Sequence, residues 1–140
     1  MIYLIKICFL ILISYNLCAS ENQNNKIIFK LNNKVYTDID YERRVDYIKI
    51  VNNLNNEKLS QENLDEILDD YISSLIFYEF NLNNKVIKLS LDNEIDKIYD
   101  EIIVNFPNKS VKEKQIKINI ELDLIRKKLL KSFLNSNKNI

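Results

Sequence analysis

From Leu64 to Phe80 the apolar residues fall at Leu64, Ile67, Leu68, Tyr71, Ile72, Leu75 and Ile76. That is the i, i+3, i+4, i+7 spacing of one helix face, and strict alternation fits it badly. Ser60 stands ahead of the run as an N-cap, and acidic residues crowd the first turns, where the helix dipole favours them. Asp65, Glu66, Asp69, Asp70 and Ser73 take the other side, so the spacing predicts an amphipathic helix with that side in water. It is the strongest helix of the chain and the expected spine of a small helical domain.

Upstream the period changes. In Lys26–Thr37, KIIFKLNNKVYT, Ile27, Phe29 and Leu31 alternate with Ile28 and Lys30, the period of a half-buried strand. Asn32, Asn33 and Lys34 supply a turn, since Asn tolerates the left-handed conformation, and Val35–Thr37 is the return strand. A lone hairpin is marginal in water, so this one is expected to lean on the helices. Thr37 is placed to cap a helix running from Asp38 to about Asn53. Tyr41, Val45, Ile48 and Val51 fall on one side of it, and Tyr47, Ile50 and Leu54 on another. Two apolar sides imply burial between neighbours or an exposed contact patch.

Downstream, Asn83 or Asn84 is the expected left-handed cap of the spine. Ser90 caps a third helix with Leu91, Ile95, Ile98, Tyr99, Ile102 and Phe106 on its face, stopped by Pro107. Ser110, Val111, Lys112 and Glu113 form a capping box for a last helix to about Leu134. That helix carries two apolar rows. One is Val111, Ile118, Leu122, Ile125, Leu129 and Phe133; the other is Ile116, Ile120, Leu124, Leu130 and Leu134. A helix apolar on two sides is central or shared with a partner. The expected fold is therefore mainly α: about four helices with a short N-terminal β-hairpin. Its expected core includes Val45, Leu68, Tyr71, Leu75, Ile95 and Leu122.

Met1–Ser20 adds a compartment. One Lys, an apolar run Ile7–Ile13 and small residues at Cys18, Ala19 and Ser20 make a secretory signal peptide, cut after Ala19 or Ser20. The apolar run is short for a span, which needs roughly 20 residues, so no integral membrane span is expected after cleavage. Residues 21–140 form a single domain. Both cysteines leave with the signal peptide, so the mature domain rests on packing rather than disulfides.

Composition narrows the chemistry. Twenty basic side chains balance twenty acidic ones over 140 residues, which gives no field for nucleic acid. The chain has no His and no Gly. A His base, imidazole metal ligands and Gly-rich phosphate loops are therefore absent. No cofactor, metal site or catalytic residue is expected. The Asp69–Asp70 pair and the Asp92, Glu94, Asp96 cluster suit solvated helix faces better than acid–base work.

The ordered signals resemble the SurA N-terminal chaperone domain family, a periplasmic family that escorts outer-membrane proteins in Gram-negative bacteria. The family's opening strand "N-N/D-x-V-I-T" corresponds to Asn32–Thr37, and its helix start "x-x-D-x-R" to the stretch Asp38–Arg43. Its second helix, "V-L-x-x-L-I-x-x-x-L", corresponds to Ile67–Ile76. Its crossover "I-x-V-S-x-x-E-V-D-x-x-I" corresponds to Ile87–Ile98, shifted by one residue after the cap. The last helix, with IELDLIRKKLL, looks like the family's "R-x-Q-I-R-x-x-L" segment. The Gly of the family's "L-G-I" crossover is replaced here by Asn83, Asn84 and Lys85, and the segment between the third and fourth helices is shorter.

The resemblance implies a non-catalytic, periplasmic chaperone-like module for unfolded or outer-membrane polypeptides. Parvulin isomerase sites use His side chains and Gly-bearing loops, so isomerase activity does not carry over. Apolar positions not used by a single compact face mark Tyr47, Ile50 and Phe77 as peptide-binding candidates; the alternative for each is burial. The second functional class is a structural or adaptor subunit of an envelope complex, forming a homodimer or docking through its last helix.

Overall fold

The computed structural model describes residues 25–54, 57–87, 90–105 and 112–136. The expected signal peptide, Phe106, Pro107, Val111 and Ser110 of the expected capping box lie outside them. Six elements follow in order: β1 (Ile27–Leu31), β2 (Lys34–Thr37), α1 (Asp38–Val51), α2 (Gln61–Asn84), α3 (Asp92–Asn105) and α4 (Glu113–Ser136). The protein is mainly helical with a two-stranded antiparallel hairpin at its N-terminal side, as the pattern predicts.

Local chemistry explains the element ends. Asn32 turns the hairpin at φ 53°, a conformation that Asn tolerates better than most residues. Thr37 caps α1: its amide donates to Asp40 Oδ2 at 2.9 Å. Asn53, at φ 59°, follows the end of α1. Ser60 caps α2, accepting from the Asn63 amide at 3.2 Å. Ser90 Oγ accepts the Asp92 amide at 3.3 Å where α3 begins. At the end of α2, Lys85 rather than Asn83 or Asn84 takes the left-handed position, at φ 49°. The helix runs to Asn84 because the buried Asn81 holds the exit: Lys85 N–H donates to Asn81 O at 2.7 Å, and Ile87 N–H to Asn81 Oδ1 at 2.8 Å.

The hairpin departs from plain alternation. Phe29 pairs with Tyr36 and Ile27 with Thr37, so Ile28 is an extra residue, a bulge. One added residue reverses which side each neighbour faces. Ile27, expected inside, is exposed, while Phe29, Leu31 and Tyr36 pack on α2 around Tyr71 and Leu75. Phe29 stacks on Tyr36 at 4.9 Å, and both meet the Tyr71 ring edge-on at 6.1 Å.

α4 is the central helix. Part of each apolar row is buried, in two clusters, while Ile118, Leu130, Phe133 and Leu134 are exposed. Ile116, Ile120 and Leu124 pack with Tyr47 and Ile95, joined by Ile48, Ile98, Tyr99 and Ile102; Leu122 packs with Tyr71 and Leu75. Ile116, Ile120 and Leu129 are fully buried, and each such side chain contributes about 1.5–3 kcal/mol by leaving water. Of the expected core, Tyr71, Leu75, Ile95 and Leu122 are buried, whereas Val45 and Leu68 are half-buried. α2 and α4 run side by side in the same direction: Asp70 meets Arg126, and further along both helices Phe80 meets Phe133.

Candidate functional site

Two arrangements stand out, one polar and inside, one apolar and outside. The inner one centres on Arg44 of α1, whose side chain is 1% exposed. Its Nη2 donates to Asp70 of α2 at 2.5 Å and to Asp123 of α4 at 2.7 Å, and its Nη1 to Asn119 Oδ1 at 3.2 Å. Tyr47 Oη donates to the other Asp123 oxygen at 3.1 Å, and Arg44 lies over the Tyr47 ring, 5.2 Å from its centroid. Arg126 of α4 pairs with Asp70 as well and donates to the Asp70 backbone carbonyl at 3.2 Å. Two cations thus balance two carboxylates where α1, α2 and α4 meet.

Asp70, expected on the solvated side of the spine, is drawn inward by these two guanidinium groups. The buried side of α2 rotates with it, to Ile67, Tyr71, Ser74, Leu75 and Asn81. Ile76, expected in the core stripe, is consequently exposed. Burial works against the charge on Asp70, but hydrogen bonds from Arg44 and Arg126 outweigh it and hold the carboxyl below its ordinary value. Burial, then the Asp123 charge, pushes the Tyr47 hydroxyl upward. Both shifts favour a charged Asp70 and a protonated Tyr47. The arrangement is a clamp.

The outer arrangement lies where the C-terminal halves of α2 and α4 run together. Ile76 and Phe80 share one face of α2; Leu130, Phe133 and Leu134 share one face of α4, and all five are exposed. Phe80 and Phe133 join the two rows, their rings edge-to-face at 5.8 Å. From Leu130 to Ser136 every residue of α4 is exposed, Leu134 at 64%. Clustered apolar surface of this kind is a candidate contact surface.

The three sequence candidates are not brought together. Tyr47 and Ile50 are each 4% exposed. Tyr47 lies under the second apolar row of α4, so neither residue presents area to a polypeptide in this conformation. Phe77 is half-buried beside Phe80. The pattern missed Arg44, Asp70, Asn119, Asp123 and Arg126. Their signal was a charged or amide residue inside an apolar stripe: Arg44 sits three residues from both Tyr41 and Tyr47, and Asn119 three from Ile116.

Other concavities offer less. Asp40, Arg43, Tyr71, Gln115, Asn119 and Leu122 border a cavity of about 100 Å³, below the roughly 300 Å³ of a small-molecule site. An open groove of about 680 Å³ between α3 and α4 is lined mostly by charged side chains, among them Asp96, Glu113 and Lys117. Among the described residues, no group of His, Cys, Asp or Glu could hold a metal ion, and no helix is long and apolar enough to cross a membrane. No protein-family model, no curated protein and no solved structure matches this chain.

Proposed function

We propose that this chain is a non-catalytic, chaperone-like module of the periplasm that holds unfolded or outer-membrane polypeptides. The observation that carries the reading is the exposed row Ile76, Phe80, Leu130, Phe133 and Leu134, laid across two parallel helix ends. Such a surface covers a client's apolar segment by area, at about 25 cal/mol per Å² removed from water, without demanding one sequence. Ordering a disordered client opposes binding, so the affinity is weak and the complex short-lived. The resemblance to the SurA N-terminal domain family supports the same reading, with the contact surface moved from Tyr47 and Ile50 to the outer row.

The test is a refolding assay of an outer-membrane barrel. Purified mature protein is expected to suppress aggregation at molar excess and to leave proline-peptide isomerisation unaccelerated. Leu134→Ser, at the most exposed position of the row, is expected to weaken suppression while thermal unfolding stays nearly unchanged. Aggregation unaffected at several-fold excess sinks the chaperone reading.

The projecting end of α4 favours a second reading, a structural or adaptor subunit that dimerises or docks on one envelope partner. A stable interface of that kind buries roughly 1,600 Å². Light scattering separates the two: a tight dimer that binds no hydrophobic dye supports the adaptor, and a dye-binding monomer the chaperone.

A further inference from the structure

Charge around the outer apolar row is one-sided. From Leu124 to Ser136, α4 carries Arg126, Lys127, Lys128 and Lys131 and no carboxylate. Arg126 is engaged by Asp70, and Lys128 by Glu94 at 2.7 Å. On α2, Glu79 is the one carboxylate from Tyr71 onward, and Lys34 holds it at 2.5 Å. Lys85, Lys127 and Lys131 are exposed and have no ion-pair partner among the described residues. The acidic surface lies elsewhere, on the first half of α2 and on α3.

Spacing ties the free cations to the apolar row. Lys127, Leu130, Lys131 and Leu134 follow i, i+3, i+4, i+7, so the two ammonium groups stand on the same face as the two leucines. Helix-dipole compensation does not account for them: that effect fades beyond the last turn, and the last turn of α4 holds no basic residue.

Resting on the chaperone-like reading, we propose that this face takes apolar polypeptide segments flanked by acidic side chains. The apolar centre of the segment covers Phe80, Leu130, Phe133 and Leu134. Its flanking carboxylates meet Lys127 and Lys131. Segments flanked by Lys or Arg are refused, because their charges meet Lys127 and Lys131, which have no ion-pair partner among the described residues.

The test uses fluorescence anisotropy with the purified protein and two labelled peptides. Both share one Leu- and Phe-rich centre; one is flanked by Glu, the other by Lys. At low salt the Glu-flanked peptide is expected to bind roughly three- to tenfold tighter, the gain that two exposed ion pairs allow. The gap is expected to close near 1 M salt, where the screening length falls to about 3 Å. The double reversal Lys127→Glu with Lys131→Glu is expected to invert the preference. If that variant loses its helical signal, the milder Lys127→Gln with Lys131→Gln is expected to abolish it. Equal affinity for both peptides, or a preference that survives these substitutions, overturns the charge selectivity and leaves client binding standing. Binding of neither peptide, whether the face takes anionic vesicles or a second copy instead, overturns both readings.

Discussion

Arg44 of α1 and Asp70 of α2 stand 2.5 Å apart, and the same guanidinium reaches Asp123 of α4 at 2.7 Å. One side chain, 1% exposed, therefore fixes the relative placement of three helices that a helical pattern alone leaves free to slide. Its Nε has no partner among the described residues, so the fit is incomplete. Buried ion pairs are weak evidence of net stability, but removing one partner strands the others.

Arg44→Ala is accordingly expected to cost about 3 kcal/mol, the lower end of the range for breaking a buried pair. The lower end applies because Asp70 and Asp123 keep about a third of their side chains in water. Arg44→Lys is expected to recover less than half of the loss, since a point charge cannot serve two carboxylates and an amide as a planar fork does. Urea unfolding of the three proteins measures both.

Acid is expected to loosen the same junction. The folded pKa of Asp70 is depressed, so its contribution is present above the ordinary value of 3.8 and is lost as pH falls through the folded value. Glu121 has the opposite sign: burial and then the Asp92 charge raise its pKa, so it favours the fold at low pH and costs stability as pH rises through the folded value. Asp70→Asn should lower stability at pH 7 and flatten the loss below about pH 4. Glu121→Gln should raise stability at pH 7 more than at pH 4. Thermal melts across pH 3–7 check both signs, and a steeper acid loss in Asp70→Asn would contradict the first.

Lys85 offers a stabilising change. Its left-handed backbone at φ 49° strains a residue with a Cβ, and Gly removes that strain. Lys85→Gly is expected to raise unfolding free energy by about 0.5–1 kcal/mol after the entropic cost of Gly is subtracted. Calorimetry should show a higher midpoint; a lower one would mean that the Lys85 side chain carries a contact that outweighs the strain.

Truncations should separate core from outer row. Leu129→Ala empties a fully buried position and is expected to cost about 2–5 kcal/mol. Leu134→Ser, at an exposed position of the same helix, is expected to stay within about 0.5 kcal/mol. Similar losses at both sites in denaturant titrations would show that the end of α4 is packed rather than projecting.

The elements themselves were legible in the chain because the signals that make them are short-range. Ser60 and Asn63, Thr37 and Asp40, and the turn at Asn32 act within a few residues. The i, i+3, i+4 rows of α2 and α4 need only helical geometry. Residue type and spacing therefore determine that the described residues form four helices and a hairpin. Which apolar side is covered is another matter, since burial depends on partners far away along the chain. Arg44 and Asp123 are 79 positions apart, yet their pairing and that of Asp70 set the rotation of α2, turning Asp70 inward and Ile76 outward. The row of α4 over Tyr47 makes that residue core, while no described helix covers Phe80, Phe133 and Leu134, which stay in water. An apolar residue carries the same transfer free energy in either place; only the packing of distant helices decides whether the fold itself uses it or leaves it for another molecule.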